Sequence, residues 1–372
     1  LRIDTAYSWE APIANHGLMH MAITNAVAGD PYEIDMMIFF MANMAWNSTM
    51  NTSKIRESLC AKNENGEYKI PFLVVCDAFD SETVGYADLV IPDTTYLERY
   101  DTISMLDRPI SEPHSINDSI RSPVLEPDRD VRPWQTVLVE LASRLKFPVF
   151  TNEDGQRKFK DYKDFIINYE KEPGIGFLAG WRGENGENSL KGKPNQNQWE
   201  KYIENKCFFQ YEIADSHKYF RGANKGYLEF AKKVGFNKSS DPIIIELYSE
   251  KLQKFRLAGL GLYDGPQPKR ERDQFRMSRF FDPLPAYYIP LEHRCTFSQK
   301  FPFYAITQRP MFMYHSWDSQ NAWLRQLQAH NYMHMNKSKA EELGIKDLSW
   351  VWVESNTGKI KVQVKLMEGV ES

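Results

Sequence analysis

The most regular pattern of hydrophobic and polar positions lies at the end of the chain. Ile360, Val362, Val364 and Leu366 alternate with Lys359, Lys361, Gln363 and Lys365, the two-residue period of a strand with one face covered. Before it, Trp350 to Val353 form a β-rich apolar run, and Asn356-Thr357-Gly358 supplies turn chemistry, so the pair predicts a hairpin. Upstream, Asn336 can cap a short helix through Ala340 and Leu343, with Gly344 as its stop. Phe303 to Thr307 reads as a further strand. Between it and that helix the chain is dense in polar and aromatic side chains, among them Arg309, Tyr314, His315, Ser316, Asn321 and Trp323. Together these features predict a small β-barrel over 301–372 whose loops face a ligand.

The first part of the chain has a different rhythm. His16 to Ala28 carries a helical pattern that Gly29-Asp30-Pro31 ends. Met36 to Met41 then reads as a buried strand, Ala42 to Asn47 as the loop at its carboxyl end, and helical residues follow to Leu59. Phe72 to Cys76 is a second buried strand ending at Asp77, Ser81 to Tyr86 the start of a helix, and Asp88 to Ile91 a third strand ending at Pro92. Strands alternating with helical segments predict an α/β, doubly wound domain with its ligand crevice outside the carboxyl ends of the strands. Asn43, Asp77 and Ser81 all fall at such ends. A carboxylate there can accept paired N–H donors, which gives Asp77 a chemical role.

The middle is less patterned. Residues 107–134, rich in Pro, Asp and Arg, read as an ordered loop crossing between domains, and Gln135 to Leu145 as a helix with Val137, Leu138 and Leu141 inward. Gly174-Ile175-Gly176 and Gly180 to Gly192 lack the strand-to-helix context of a phosphate loop and read as a surface insertion. Lys269 to Arg279 is a basic run, a solvated face or a contact for a partner subunit. The expected organisation is an α/β region at 1–150, an insertion or linker at 151–300, and the barrel at 301–372.

Composition narrows the function. With 372 residues, 42% of them hydrophobic, the chain can build two or more cores. A net charge of −4 argues against a nucleic-acid partner. No apolar run reaches the ~18 residues of a membrane helix, and Ile34 to Trp46 is interrupted by Asp35 and Asn43. Cys60, Cys76, Cys207 and Cys295 stand apart with no CxxC pair, so they read as buried reduced thiols rather than a zinc site or a disulfide framework. The chain begins at Leu1 without a signal peptide and reads as a fragment of a longer protein.

Two separated segments carry a family resemblance. The first is Val-Val-Cys-Asp-Ala-Phe-Asp-Ser-Glu-Thr-Val-Gly-Tyr-Ala-Asp-Leu-Val-Ile-Pro-Asp-Thr-Thr-Tyr-Leu-Glu, from Val74 to Glu98. The second runs from Thr-Gln-Arg at Thr307 through Tyr-His-Ser, Trp-Leu-Arg and Glu-Leu-Gly-Ile to Val-Trp-Val-Glu-Ser. They resemble the molybdopterin oxidoreductases of the dimethyl sulfoxide reductase family. The resemblance implies a molybdenum bis(molybdopterin guanine dinucleotide) cofactor contacted by Asn43, Asp77, Ser81, Arg309, Tyr314, His315, Ser316 and Asn321. No residue here is assigned a catalytic role. Met-Ala-Asn-Met-Ala-Trp-Asn stands where the family has Gly-x-Asn-Pro, with Ala42 and Met44 in place of Gly and Pro. The cysteines of the family's 4Fe-4S cluster and its molybdenum ligand are expected upstream of Leu1. Taken singly, Asp77 is a helix cap, Asn43 a turn residue and His315 a satisfied histidine. Two segments matching one family in order favour the functional reading.

Particular wording, such as Asp-Arg-Asp-Val-Arg-Pro-Trp-Gln and Met-Tyr-His-Ser-Trp-Asp-Ser-Gln-Asn, is similar to the sulfite dehydrogenase branch, which groups with the thiosulfate and polysulfide reductases. This implies oxidation of a small sulfur oxyanion, sulfite to sulfate. The implied partners are an iron–sulfur electron-transfer subunit and a membrane anchor, with the enzyme on the cytoplasmic or periplasmic side. Two alternatives stay open: another oxyanion enzyme of the family, and a non-catalytic scaffold that keeps the fold. The retained Asn43, Asp77, Arg309 and His315 argue against the scaffold.

Overall fold

In a computed structural model the structure describes residues 22–30, 32–47, 51–104, 115–169, 178, 180–188, 192–212, 225–241, 247–264, 267, 271–287, 289, 300–313, 319, 321–356 and 358–371. The chain forms two compact units: one of residues 1–35, 42–71 and 251–372, the other of 36–41 and 72–250. Each is described by itself.

In the first unit, α1 (Ala22–Ala28) buries Ile23 and Ala26, and Gly29 follows it at φ 63°. The first part of the expected helix, from His16, lies outside the described residues. α2 (Thr52–Leu59) starts where the Asn51 side chain accepts from the Lys54 N–H, and it buries Ile55 and Leu59.

The second unit opens on a parallel sheet in the order β1 (Met36–Phe40), β2 (Phe72–Asp77), β3 (Leu89–Pro92). β2 is central, and its run from Leu73 to Cys76 is buried throughout, as a strand covered on both faces requires. Between β2 and β3 the expected helix is only a 3-10 turn, Val84–Tyr86, held by Val84 N–H to Ser81 O and Tyr86 N–H to Thr83 O. Residues 78–88 separate the two strands, just short of the dozen or so that a full α-helical crossover takes.

An antiparallel sheet follows: β4 (Asp101–Ser104), β5 (Ser115–Arg121) and, far along the chain, β6 (Phe208–Glu212). Part of the expected 107–134 loop is therefore strand. The stretch after it is pinned, with Val124 and Leu125 N–H on Leu97 O and Arg129 on Glu98. α3 (Trp134–Arg144) turns Trp134, Val139 and Ala142 inward, while Leu138 and Leu141 are exposed, which corrects the inward face read from the sequence. Asp93 accepts the Trp134 N–H, and the Trp134 ring stacks on Phe40 with centroids 6.1 Å apart, so these anchors set the rotation of the helix.

α4 (Tyr162–Asn168), α5 (Gln198–Glu204) and β6 build a core of Ile120, Ile166, Ile167, Leu178, Trp199, Tyr202 and Phe209. Gly180 lies against the Phe209 ring and its N–H donates to the Tyr202 hydroxyl. The stretch read as a surface insertion is thus partly interior. Arg182, 3% exposed, shows why: its guanidinium donates to the carbonyls of Tyr169, Leu178 and Gly192 and gathers the loop around itself. α6 (Lys225–Lys233) buries Leu228 and Ala231.

Back in the first unit, α7 (Glu250–Gly259) and α8 (Glu271–Phe280) pack through Ala258, Met277 and Phe281. Phe303–Thr307, expected as a strand, is irregular and exposed; Pro302 and Pro310 on its flanks lack the N–H that a ladder needs. α9 (Ala322–Leu327) leads to β7 (Tyr332–Asn336) and α10 (Lys337–Glu342), which starts at Asn336 and is followed by Gly344 at φ 69°. The hairpin β8 (Trp350–Ser355), β9 (Gly358–Met367) pairs as expected, and β7 joins β9 in parallel to give the order β7-β9-β8. Among the described residues this is an open sheet of three strands.

Candidate functional site

The carboxyl ends of β2 and β3 each carry an acid, Asp77 and Asp93. Asp77 closes β2. Its Oδ1 accepts the Phe79 N–H at 3.1 Å and its Oδ2 the Ser81 hydroxyl at 3.1 Å, so the turn out of the strand folds around the carboxylate. Burial pushes the Asp77 carboxyl above its ordinary range, against the pull of the Phe79, Ser81 and Ala78 donors, and nearby Asp93 adds to the rise. Beside it the Cys76 thiol, fully buried, is pushed up to about 12 by burial and by Asp93 and Asp77. It is an inert core thiol at neutral pH.

Asp93 follows β3 and is buried. Its N–H donates to the Asp77 carbonyl at 3.0 Å, and its carboxylate accepts the Trp134 N–H at 2.9 Å and Arg99 Nη1 at 2.7 Å. Arg99 is buried to the same degree as Arg182, and its guanidinium lies 4.9 Å from the centroid of the Tyr96 ring. Sequence reasoning missed both residues. The usable signal was the acid immediately after the third strand, in the same relation to β3 that Asp77 has to β2.

Asp77 and Ser81 are therefore brought together as one polar corner. One Asp77 oxygen takes the Phe79 N–H and the other the Ser81 hydroxyl, and each retains acceptor capacity for a further donor. A half-buried acid at a strand's carboxyl end, already costly to ionise, suits a partner with two adjacent N–H donors, and the guanine edge of a nucleotide is one. The residues present fit the guanosine part of a pterin dinucleotide.

Asn43, 8% exposed, belongs to the first unit, where its carbonyl accepts the N–H groups of Trp46 and Asn47 in a tight turn. Asn321 is the cap of α9: its side-chain oxygen takes the N–H groups of Trp323 and Leu324. Arg309 is exposed on the irregular 301–313 stretch. Tyr314, His315 and Ser316 lie outside the described residues. No group of three or more His, Cys, Asp or Glu able to hold a metal ion occurs among the described residues, and no described helix is long and apolar enough to cross a membrane.

Residues 303–372 match the family described as "Molydopterin dinucleotide binding domain". A sulfite dehydrogenase subunit from Allochromatium vinosum is 57% identical over the whole chain, and the chain spans 38% of that protein's length. The molybdopterin-containing subunit of thiosulfate reductase from Salmonella typhimurium is 29% identical over 147 residues, 39% of the chain and 17% of that protein. Among solved structures, acetylene hydratase from Pelobacter acetylenicus superposes with a TM-score of 0.60 at 19% identity, covering 99% of the chain and 42% of its own, a likeness of mixed α/β fold.

Proposed function

The chain belongs to the molybdopterin oxidoreductases, and from that premise we propose that it is part of the catalytic subunit of an enzyme that oxidises sulfite to sulfate. The observation that carries the reading is identity of 57%, over an alignment that covers the whole chain, with one sulfite dehydrogenase subunit. The cofactor is molybdenum bis(molybdopterin guanine dinucleotide), and when bound it supplies the two-electron redox chemistry. Sulfite and water become sulfate, two protons and two electrons, and an iron–sulfur subunit tied to a membrane anchor takes the electrons onward.

The chain's own contribution is binding and orientation. Asp77, with Ser81 behind it, holds a guanine edge, and Asn43 stands after the neighbouring strand in sequence. Arg309 with the Tyr314-His315-Ser316 segment offers cationic and hydroxyl donors to diphosphate or pterin oxygens. On this reading the sheet β7-β9-β8, open among the described residues, is one wall of the expected barrel, and the parallel sheet β1-β2-β3 is part of a doubly wound region. Thiosulfate as substrate is the second reading, favoured by the thiosulfate reductase match.

The test is acceptor reduction by protein from its natural reading frame, with sulfite and thiosulfate as rival donors, in wild type and Arg309→Ala. Sulfite-dependent turnover is expected, with molybdenum content and turnover falling together in the variant by about one to two orders of magnitude, the value of one charge-assisted bond. Turnover with thiosulfate alone would replace the substrate reading. Full metal and full turnover in the variant would make Arg309 an ordinary surface cation.

A further inference from the structure

We infer that Arg99 is a positioning residue: buried against Asp93, it fixes the turns that leave β1, β2 and β3 and so aims Asp77 at its ligand. The inference rests on the reading of Asp77 as a nucleotide contact.

The Arg99 side chain is 3% exposed and that of Asp93 fully buried, so the pair is a desolvated ion bridge rather than a surface contact. Each arm of the guanidinium meets a different piece of chain. Nη1 donates to Asp93 Oδ2 at 2.7 Å and to the Thr94 carbonyl at 3.4 Å. Nη2 lies 3.7 Å from Met41 Sδ, and Nε is 3.5 Å from Asp101 Oδ2. The flat cation is also 4.9 Å from the Tyr96 ring centroid and 5.9 Å from that of Phe40. Through Phe40 and Met41 it touches the end of β1. Through Asp93, whose N–H is bonded to the Asp77 carbonyl, it reaches the end of β2, and Asp93 itself is the first residue past β3.

Met41 sharpens the point. It is a non-glycine residue at φ 49°, a left-handed conformation that side chains disfavour, and its N–H donates to the Cys76 carbonyl at 3.0 Å. Such a conformation persists where neighbours over-determine it, and this one sits at the strand ends beside Asp77. A lysine could neutralise Asp93, but its compact ammonium cannot make the several directed contacts of a guanidinium fork. A bond to Asp93 alone would suit a fold-stabilising pair. The simultaneous reach to Met41, Thr94 and Asp101 suits a residue that sets relative placement.

The experiment uses protein from the natural reading frame, purified with its cofactor, in wild type, Arg99→Lys, the double variant Arg99→Met/Asp93→Asn, and Asp77→Asn. Folded monodisperse protein is isolated by gel filtration, and guanosine nucleotide released by acid is measured per folded polypeptide, together with the urea midpoint. Both Arg99 variants are expected to release 3- to 10-fold less guanosine nucleotide per folded chain, even where the double variant, with both charges gone, regains the wild-type midpoint. Full guanosine content in the folded fraction of either Arg99 variant, whatever its midpoint, overturns the inference and leaves Arg99 a structural ion pair. Asp77→Asn separates the two failures. Undiminished guanosine in Asp77→Asn removes the nucleotide seat and the inference with it, whereas loss there with full content in Arg99→Lys removes the inference alone.

Discussion

Glu98 is the side chain whose surroundings most clearly set its protonation. Both of its oxygens face Arg129, at 2.6 and 2.8 Å, and Oε2 also accepts the N–H and hydroxyl of Thr95. The Arg129 bonds, helped by Thr95, pull its carboxyl down from 4.5 to about 2. A carboxyl lowered on folding stabilises the native state above its unfolded value and loses that contribution as pH falls through the folded one. The contribution of Glu98 is therefore complete above pH 4.5 and lost toward pH 2. Glu98→Gln should flatten the acid limb of the stability curve between those values and cost about 1–2 kcal/mol at neutral pH. Urea melts from pH 2 to 7 in wild type and variant measure it, and an unchanged acid limb would refute the assignment. The same shift is expected to shrink with added salt, because Arg129 is half-exposed.

At the scale of elements, the loop around Arg182 leads into a core that holds Leu178, Trp199, Tyr202 and Phe209. A Cβ on Gly180 would come 2.5 Å from the Phe209 ring, which Trp181 and Tyr202 hold with centroids 5.0 and 6.2 Å away. Gly180→Ala should cost about 1–3 kcal/mol through overpacking. Gly85→Ala, where no atom lies within 4 Å of the added carbon, should stay within about 0.5 kcal/mol of wild type. Equal midpoints for the two variants would show that the Gly180 loop is loose in solution. Arg182→Met removes the donors to the Tyr169, Leu178 and Gly192 carbonyls, of which that of the fully buried Leu178 has no water to turn to, so it should destabilise by more than Gly180→Ala.

For the whole molecule, a dinucleotide cofactor is a structural ligand as much as a chemical one. A ligand that binds only the folded state adds about 2.7 kcal/mol at a hundredfold excess over Kd. Protein made in a host unable to assemble the cofactor should therefore melt several degrees lower in calorimetry than protein made in a competent host. Identical melting of the two preparations, with the cofactor verified in one of them, would show that the cofactor is not a structural ligand.

Some of this architecture was legible in the residues themselves because it depends on neighbours in sequence. The β8–β9 hairpin followed from alternation and a glycine turn, the cap of α10 from Asn336 and Gly344, and the three parallel strands from short apolar runs ending at Asp77 and Pro92. Asp77 as a polar corner was readable for the same reason, since Ser81 lies only four positions on. Contacts between distant segments were not. β6 pairs with β5 across most of a hundred residues, Asp93 reaches Trp134, and Arg182 collects carbonyls from both sides of a glycine-rich loop. These pairings set which face of α3 is inward and bury Arg99. Local periodicity and propensity act over a few residues. Where a buried charge finds its partner depends on chain closure, which only the tertiary structure decides.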